Sequence, residues 1–275
     1  AHQIQHKETD SLPPALSALW QYRHFILSSV LAELRLRFDR SVLGGLWGVL
    51  NPLAQVAIFA LVLSNVLQAK IGNVDNQYSF ALYLCAGLTC WNLFNDIVSR
   101  SLNLFIANGN LIKKAAFPKI VLLANLVGAC VVDNLLLLTA VLALFLITGF
   151  TLTASLVFLP LLLVLTIALA TGIGLILGVL NTFIRDIGQV TPIWLQVLFW
   201  FTPIVYPASI VPEQLQNLMA FNPVYTLVTS YQEILVFQTW PDTGSLLNCL
   251  VISAGLLLLG GFIYSRAAED MADVL

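Results

Sequence analysis

Charge is what this sequence has least of. Only 9% of its 275 residues are Asp, Glu, Lys or Arg, whereas 59% are hydrophobic. A soluble globular protein carries roughly 25% charged residues, because a water-facing surface needs them. Between Lys119 and Arg185 a single charge occurs, Asp133. That scarcity excludes a soluble enzyme, a disordered chain and a nucleic-acid binder, and it leaves an integral membrane protein. Cysteine is also sparse. Cys85, Cys90, Cys130 and Cys249 all sit in apolar stretches, and none forms a CxxC pair. They read as buried thiols rather than metal ligands.

Other absences narrow the chemistry. No GxxxxGK[ST] phosphate loop is present, so this chain does not bind ATP in that mode. There is no HExxH and no paired acidic motif of the kind a membrane-embedded transferase needs for metal and pyrophosphate. A self-contained enzyme is therefore not expected, and no cofactor or metal is expected in this chain. Residues 1 to 12 are polar (His2, His6, Lys7, Glu8, Asp10) and lack an apolar core, so no removable signal is expected there.

What is present is apolar length. A spanning helix needs roughly 20 mostly apolar residues. Six stretches qualify or nearly do: Val42–Gln68, Tyr78–Ser99, Ile120–Phe150, Ser155–Leu180, Val190–Tyr206 and Gly244–Tyr264. The expected fold is all-α, with six membrane helices over residues 42–275 behind a cytoplasmic segment, residues 1–41. Residues 207–239 are apolar but broken by Pro212 and by Asn222-Pro223. Each half is too short to span, so short re-entrant helices are expected. A seventh span is the competing reading. With six spans, Lys7, Arg23, Arg35, Arg37, Arg40, Arg100, Lys113, Lys114, Lys119, Arg185 and Arg266 fall on one side and Lys70 on the other. Basic loops stay cytoplasmic, which puts both termini there.

In residues 20–40, Leu27, Val30, Leu31, Leu34 and Phe38 recur at three and four residues, while Arg23, Glu33, Arg37 and Arg40 lie off that stripe. This is the pattern of a basic amphipathic helix on the membrane surface. It serves either as an anchor or as a docking face for a cytoplasmic partner. Asp133 lies mid-span beside Asn134, with no basic residue evident at the same depth. An ionised carboxylate there must face protein, water or a partner. Gly44/Gly48 and Gly174/Gly178 form GxxxG pairs, which allow close helix approach. Trp47, Trp194, Phe199, Trp200, Phe201 and Tyr206 supply aromatic faces of the sort that stack on sugar rings.

Several stretches, taken in order, resemble the membrane permeases of polysaccharide-exporting ABC transporters. They are RLRFDRSVLGGLWGVLNPL (Arg35 to Leu53), NLIKKAAFPKI (Asn110 to Ile120), NTFIRDIGQV (Asn181 to Val190), FWFTPIVYP (Phe199 to Pro207) and FNPVY (Phe221 to Tyr225). GGLWGVLNP is most similar to the O-antigen exporters; capsule and teichoic-acid exporters are close relatives. The resemblance implies an inner-membrane homodimer paired with two copies of a separate ATPase, which would hold ATP and Mg. It implies gate helices within about 207–239. It implies a coupling loop at about 108–119, with Lys113, Lys114, Phe117 and Pro118 at the matching positions. The implied substrate is a glycan on a polyprenyl diphosphate lipid. The aromatics named above would then line a channel between subunits, and Arg35, Arg37 and Arg40 are candidates for the diphosphate, since guanidinium forks match phosphate oxygens. Two other classes stay open: an ABC permease for a small amphiphile, and an ATP-independent pore or proton-coupled carrier working through Asp133.

Overall fold

A computed structural model describes residues 20–39, 46–67, 79–114, 120–149, 153–219, 221–268 and 270–274, and all regular structure among them is helical. In chain order the helices are α1 (Arg23–Asp39), α2 (Trp47–Leu67), α3 (Ser79–Leu102), α4 (Leu104–Ala107), α5 (Gly109–Lys114), α6 (Ile120–Ile147), α7 (Leu159–Phe183) and α8 (Asp186–Trp200). Then come α9 (Glu213–Met219), α10 (Pro223–Gln232), α11 (Thr243–Ala267) and α12 (Met271–Val274). Three stretches are long and apolar enough to cross a bilayer: α6, Ala154–Phe183 and α11. Their outward faces carry Leu135, Val164, Leu247, Val251, Leu258 and Phe262, all exposed. Such apolar faces are what lipid, rather than water, accepts.

Helix α8 has 15 residues, or about 22 Å of rise against a hydrocarbon core of about 30 Å. The sequence predicts a helix to Tyr206; the structure ends it at Trp200. Pro203 is the reason, since it lacks an N–H and crowds the preceding turn. The freed Pro203 carbonyl accepts from Tyr83 Oη (3.0 Å) and Gln232 Nε2 (3.0 Å), so the irregular backbone stays satisfied inside protein. After it, α9 and α10 have 7 and 10 residues, too few to span. Asn222 caps α10 by accepting from Val224 N–H, with Pro223 in the first turn.

Helices α3 and α7 form the centre. Leu82, Leu88, Phe94 and Ile97 of α3 and Leu162, Leu165 and Leu169 of α7 are fully buried. Small residues set how closely the backbones approach. A Cβ built on Gly178 would stand 2.5 Å from the Ser101 carbonyl oxygen of α3, and one on Gly172 would stand 2.8 Å from Leu256 backbone in α11. Buried threonines in these helices donate to carbonyls one turn back, as Thr89 does to Cys85 O (2.7 Å) and Thr166 to Leu162 O (2.8 Å). Each of these two hydroxyls is thereby satisfied in an apolar setting. All four cysteines are buried and free. Helix α1 lies against α6, with Val30 buried over Gly128. Leu27, by contrast, is 62% exposed, available to a membrane surface. The side chains of Leu34 and Phe38 lie outside the described residues.

Past α10 the chain takes a π-helical turn, Glu233–Phe237, closed by Gln238 at φ +56°. Burial first, and the Asp242 charge second, push the Glu233 carboxyl above the usual glutamate range. Among the described residues, Tyr225, Asp242 and Tyr83 line the same pocket as this carboxyl. A raised carboxyl pKa means the ionised form is penalised in the folded state. That penalty is full above the raised pKa and vanishes below the unfolded value of roughly 4.3. Stability from this group therefore rises as pH falls through the raised value. Glu233→Gln should flatten the dependence of melting temperature on pH in that window; an unchanged slope would contradict it.

Candidate functional site

The candidate site begins with polar residues that apolar helices have no reason to carry, and with one tryptophan that shares a face with them. Asn51 and Gln55 stand four apart on α2. Asn92, Asn95, Asp96 and Ser99 recur at three and four residues on α3, and Gln196 and Trp200 stand four apart on α8. Each set lies on one helical face. Packing of α3 against α2 and α8 brings the sets together.

The result is a groove of about 460 Å³, lined by Gln55, Asn92, Asn95, Gln196, Phe199 and Trp200 among others. Its aromatic wall is ordered by edge-to-face contacts. The Trp91 and Phe199 rings are 5.3 Å apart at 68°, and Phe199 and Trp200 are 5.6 Å apart at 85°. Trp200 is 54% exposed, so its ring is presented rather than buried. Tyr206 Oη donates to the Trp200 carbonyl and so ties the irregular 201–206 link to the end of α8. Uncharged amides next to open aromatic rings can offer hydrogen bonds and C–H contacts to a polyhydroxylated ring.

Behind the groove, sharing Gln55 and Asn92 with it, lies a cavity of about 280 Å³ between α2, α3 and α6. Trp47, Asp96, Asp133 and Asn134 complete much of its wall. Here the structure corrects one expectation: a basic residue does reach Asp133. Arg100, in the last turn of α3, places Nη1 3.9 Å from Asp133 Oδ2 and Nη2 3.7 Å from Glu33 Oε1 of α1. It also donates to Cys130 Sγ at 3.4 Å. The arginine stem is long enough to carry its charge up from the helix end, which is why depth along the sequence hid the pairing.

The six aromatics expected along one channel wall are divided by the fold. Phe199 and Trp200 line the groove and Trp47 lines the cavity behind it. Trp194 faces an apolar cleft with Ile173, Ile176 and Leu256, because five residues on an α-helix place it well around from Phe199. Phe201 is exposed just past the end of α8, and Tyr206 is half-buried beside Tyr83, whose hydroxyl donates to the Tyr206 carbonyl at 3.2 Å. Arg35 is exposed on α1. The side chain of Arg37, and Arg40 entirely, lie outside the described residues. So do Phe117, Pro118 and the side chains of Lys113 and Lys114; the backbone of both lysines ends α5. The amide stripe on α3 was missed in reading the sequence; its spacing of three and four was the available signal.

Known proteins are similar to this chain over nearly its full length. The family described as ABC-2 type transporter matches residues 25–236. An O-antigen export system permease protein RfbA from Myxococcus xanthus is 28% identical over 257 residues, covering 93% of this chain and 96% of that protein. A protein of the same name from Klebsiella pneumoniae is 28% identical over 88% of this chain and 92% of its own length. The polysialic acid transport protein KpsM of Escherichia coli is 28% identical over 87% of this chain and 92% of its own length.

Proposed function

The chain belongs to the ABC-2 type transporter family, and from that premise we propose that it is the membrane permease of an ATP-driven polysaccharide exporter. Two copies form a channel in the inner membrane, with both termini on the cytoplasmic side, and a lipid-linked glycan of the O-antigen type passes between them. The observation that carries this reading is the groove, where uncharged amides of α2, α3 and α8 meet the presented rings of Phe199 and Trp200. A long glycan is too large to be enclosed in one cavity, and an open groove on each subunit lets it slide. The names of the relatives point to the same cargo class.

Energy comes from a separate ATPase, which carries the nucleotide and its Mg. Its strokes reach the membrane helices through the loop at about 108–119, with Lys113, Lys114, Phe117 and Pro118 at the contact, and through α1. Arg35, Arg37 and Arg40 stand at the cytoplasmic mouth, where guanidinium groups suit the lipid diphosphate. The Arg100 contact supplies Asp133 with a structural role, which favours this reading over a proton-coupled carrier.

The test is export in cells that make the glycan. With a hydrolysis-dead ATPase partner, lipid-linked glycan should accumulate inside. With an active partner, Trp200→Ala should lower the export rate about tenfold, the equivalent of ~1.4 kcal/mol. Trp194→Ala, on the other face, should change it little. Surface glycan appearing without any active ATPase overturns the reading.

A further inference from the structure

A second, smaller core stands apart from the one that α3 and α7 build. Phe105 of α4, Ile112 of α5, Leu123 of α6, Val179 of α7 and Met271 of α12 are buried together in it. Ile112 is 5% exposed and Met271 0%. The Phe105 ring also stacks on Tyr264 near the end of α11, with centroids 6.1 Å apart at 23°. Helices α4, α5 and α12 have 4, 6 and 4 residues. A helix shorter than about 12–15 residues is marginal by itself, so packing must hold all three in place. Among the described residues α5 rests chiefly against α4 and α12, and both of these rest in turn against α7. Chain connectivity through Asn108 accounts for the α4 contact. It does not account for α12, which comes much later in the chain and reaches back from the end of α11.

The placement matters because α5 lies within the loop through which the ATPase is proposed to act. A short helix pushed on one face transmits displacement only where its other face is fixed. Close-packed side chains transmit strain, whereas a void absorbs it. Methionine suits the joint, since its unbranched, flexible stem fills irregular gaps between elements. We propose that Met271 is a positioning residue for energy coupling: by closing the small core it fixes α5 to the C-terminal end of α7, so that a push on the 108–119 loop moves α7 instead of bending α5. The inference rests on the exporter reading, in which that loop meets the ATPase.

The test uses the permease–ATPase complex in inside-out membrane vesicles from cells that make the glycan. ATP hydrolysed and glycan moved into the vesicle are measured together. Met271→Ala should raise the ATP consumed per glycan about fivefold or more. Met271→Leu keeps the volume and should bring that ratio back to within about twofold of wild type. Leu162→Ala opens a void in the central core instead, at a side chain that is 0% exposed. It should lower the melting temperature and leave the ratio alone, because fewer folded complexes do less of both. A merely structural Met271 would behave as Leu162 does. Hydrogen exchange supplies a second readout: in Met271→Ala the α5 amides should exchange about tenfold faster while the middle of α7 keeps its protection.

Should Met271→Ala yield no folded complex, Met271→Val is read in its place, with a rise in the ratio of about twofold or more expected. An unchanged ratio, or unchanged α5 exchange, overturns the proposal. Wild-type export at an ATP cost that the Met271 variants share defeats this inference alone. Absence of ATPase-dependent export in the wild type defeats the exporter reading.

Discussion

Gly178→Ala is expected to lower the melting temperature of the detergent-purified protein by about 10 °C, the equivalent of ~3 kcal/mol of overpacking in a chain of this size. The cause is local and steric. The new Cβ would stand 2.5 Å from the Ser101 carbonyl oxygen, a backbone atom of α3 that moves only if the helix moves. Helices α3 and α7 hold the centre of the bundle, so displacing one disturbs every element packed on them. Gly174, one turn earlier, offers an internal comparison. A Cβ there meets the Ser101 side chain, Cβ and Oγ both at 2.8 Å, rather than its backbone. Ser101→Gly should therefore rescue Gly174→Ala and should fail to rescue Gly178→Ala. Gly255 and Gly261 on α11 have nothing within 4 Å of an added Cβ. Alanine at either should be neutral or mildly stabilising, since helix interiors favour alanine over glycine by about 1 kcal/mol. If Gly178→Ala melts where Gly255→Ala does, the close α3–α7 approach is not what holds the bundle.

Arg100→Met should be the most damaging change among the charged residues, and Asp133→Asn should partly reverse it. Arg100 joins three helices: it sits on α3, faces Glu33 of α1, and faces Asp133 beside Cys130 of α6. Removing it takes from two carboxylates the cation they share. Breaking a fully buried pair costs about 3–5 kcal/mol, and an exposed one about 0–1. The Arg100 and Glu33 side chains are 40% and 38% exposed and Asp133 is 17% exposed, so an intermediate cost of about 2 kcal/mol is expected after solvent screening. In the double variant the Asp133 charge has gone, and stability should recover by a sizeable part of that loss. A thermal-unfolding double-mutant cycle measures the coupling. Strictly additive losses would mean that Arg100 and Asp133 do not sense each other. The same variants report on transport. If Asp133→Asn with Arg100 in place abolishes export while the protein stays folded, Asp133 carries more than a structural charge.

The parts of the molecule legible in the sequence share a physical basis. Apolar runs near 20 residues, with charge pushed to their ends, dictate membrane helices whatever their neighbours, because lipid leaves the backbone no alternative. Hence α6, α7 and α11 fall where the runs lie, and prolines at 212 and 223 bound the short helices between α8 and α11. Family membership was readable from motifs because those are local strings. The breaks were less readable. Pro203 signalled an interruption, yet only the hydroxyl of Tyr83 and the amide of Gln232, each far away in sequence, make that interruption tolerable.

What belonged to tertiary structure alone is the assignment of side chains to faces shared between helices. Trp194 and Phe199 look equivalent in the string WLQVLFW, and packing sends one to an apolar cleft and the other to the groove. Asp133 looked isolated because its cation lies 33 residues earlier, at a helix end, and reaches it along a flexible stem. The amides of α2, α3 and α8 were each unremarkable singly and became a polar path only when three helices set them side by side. Composition and periodicity act within one segment, so they settle what the chain dissolves in and where it coils. Which groups meet depends on contacts between segments, and those exist only after the helices have packed.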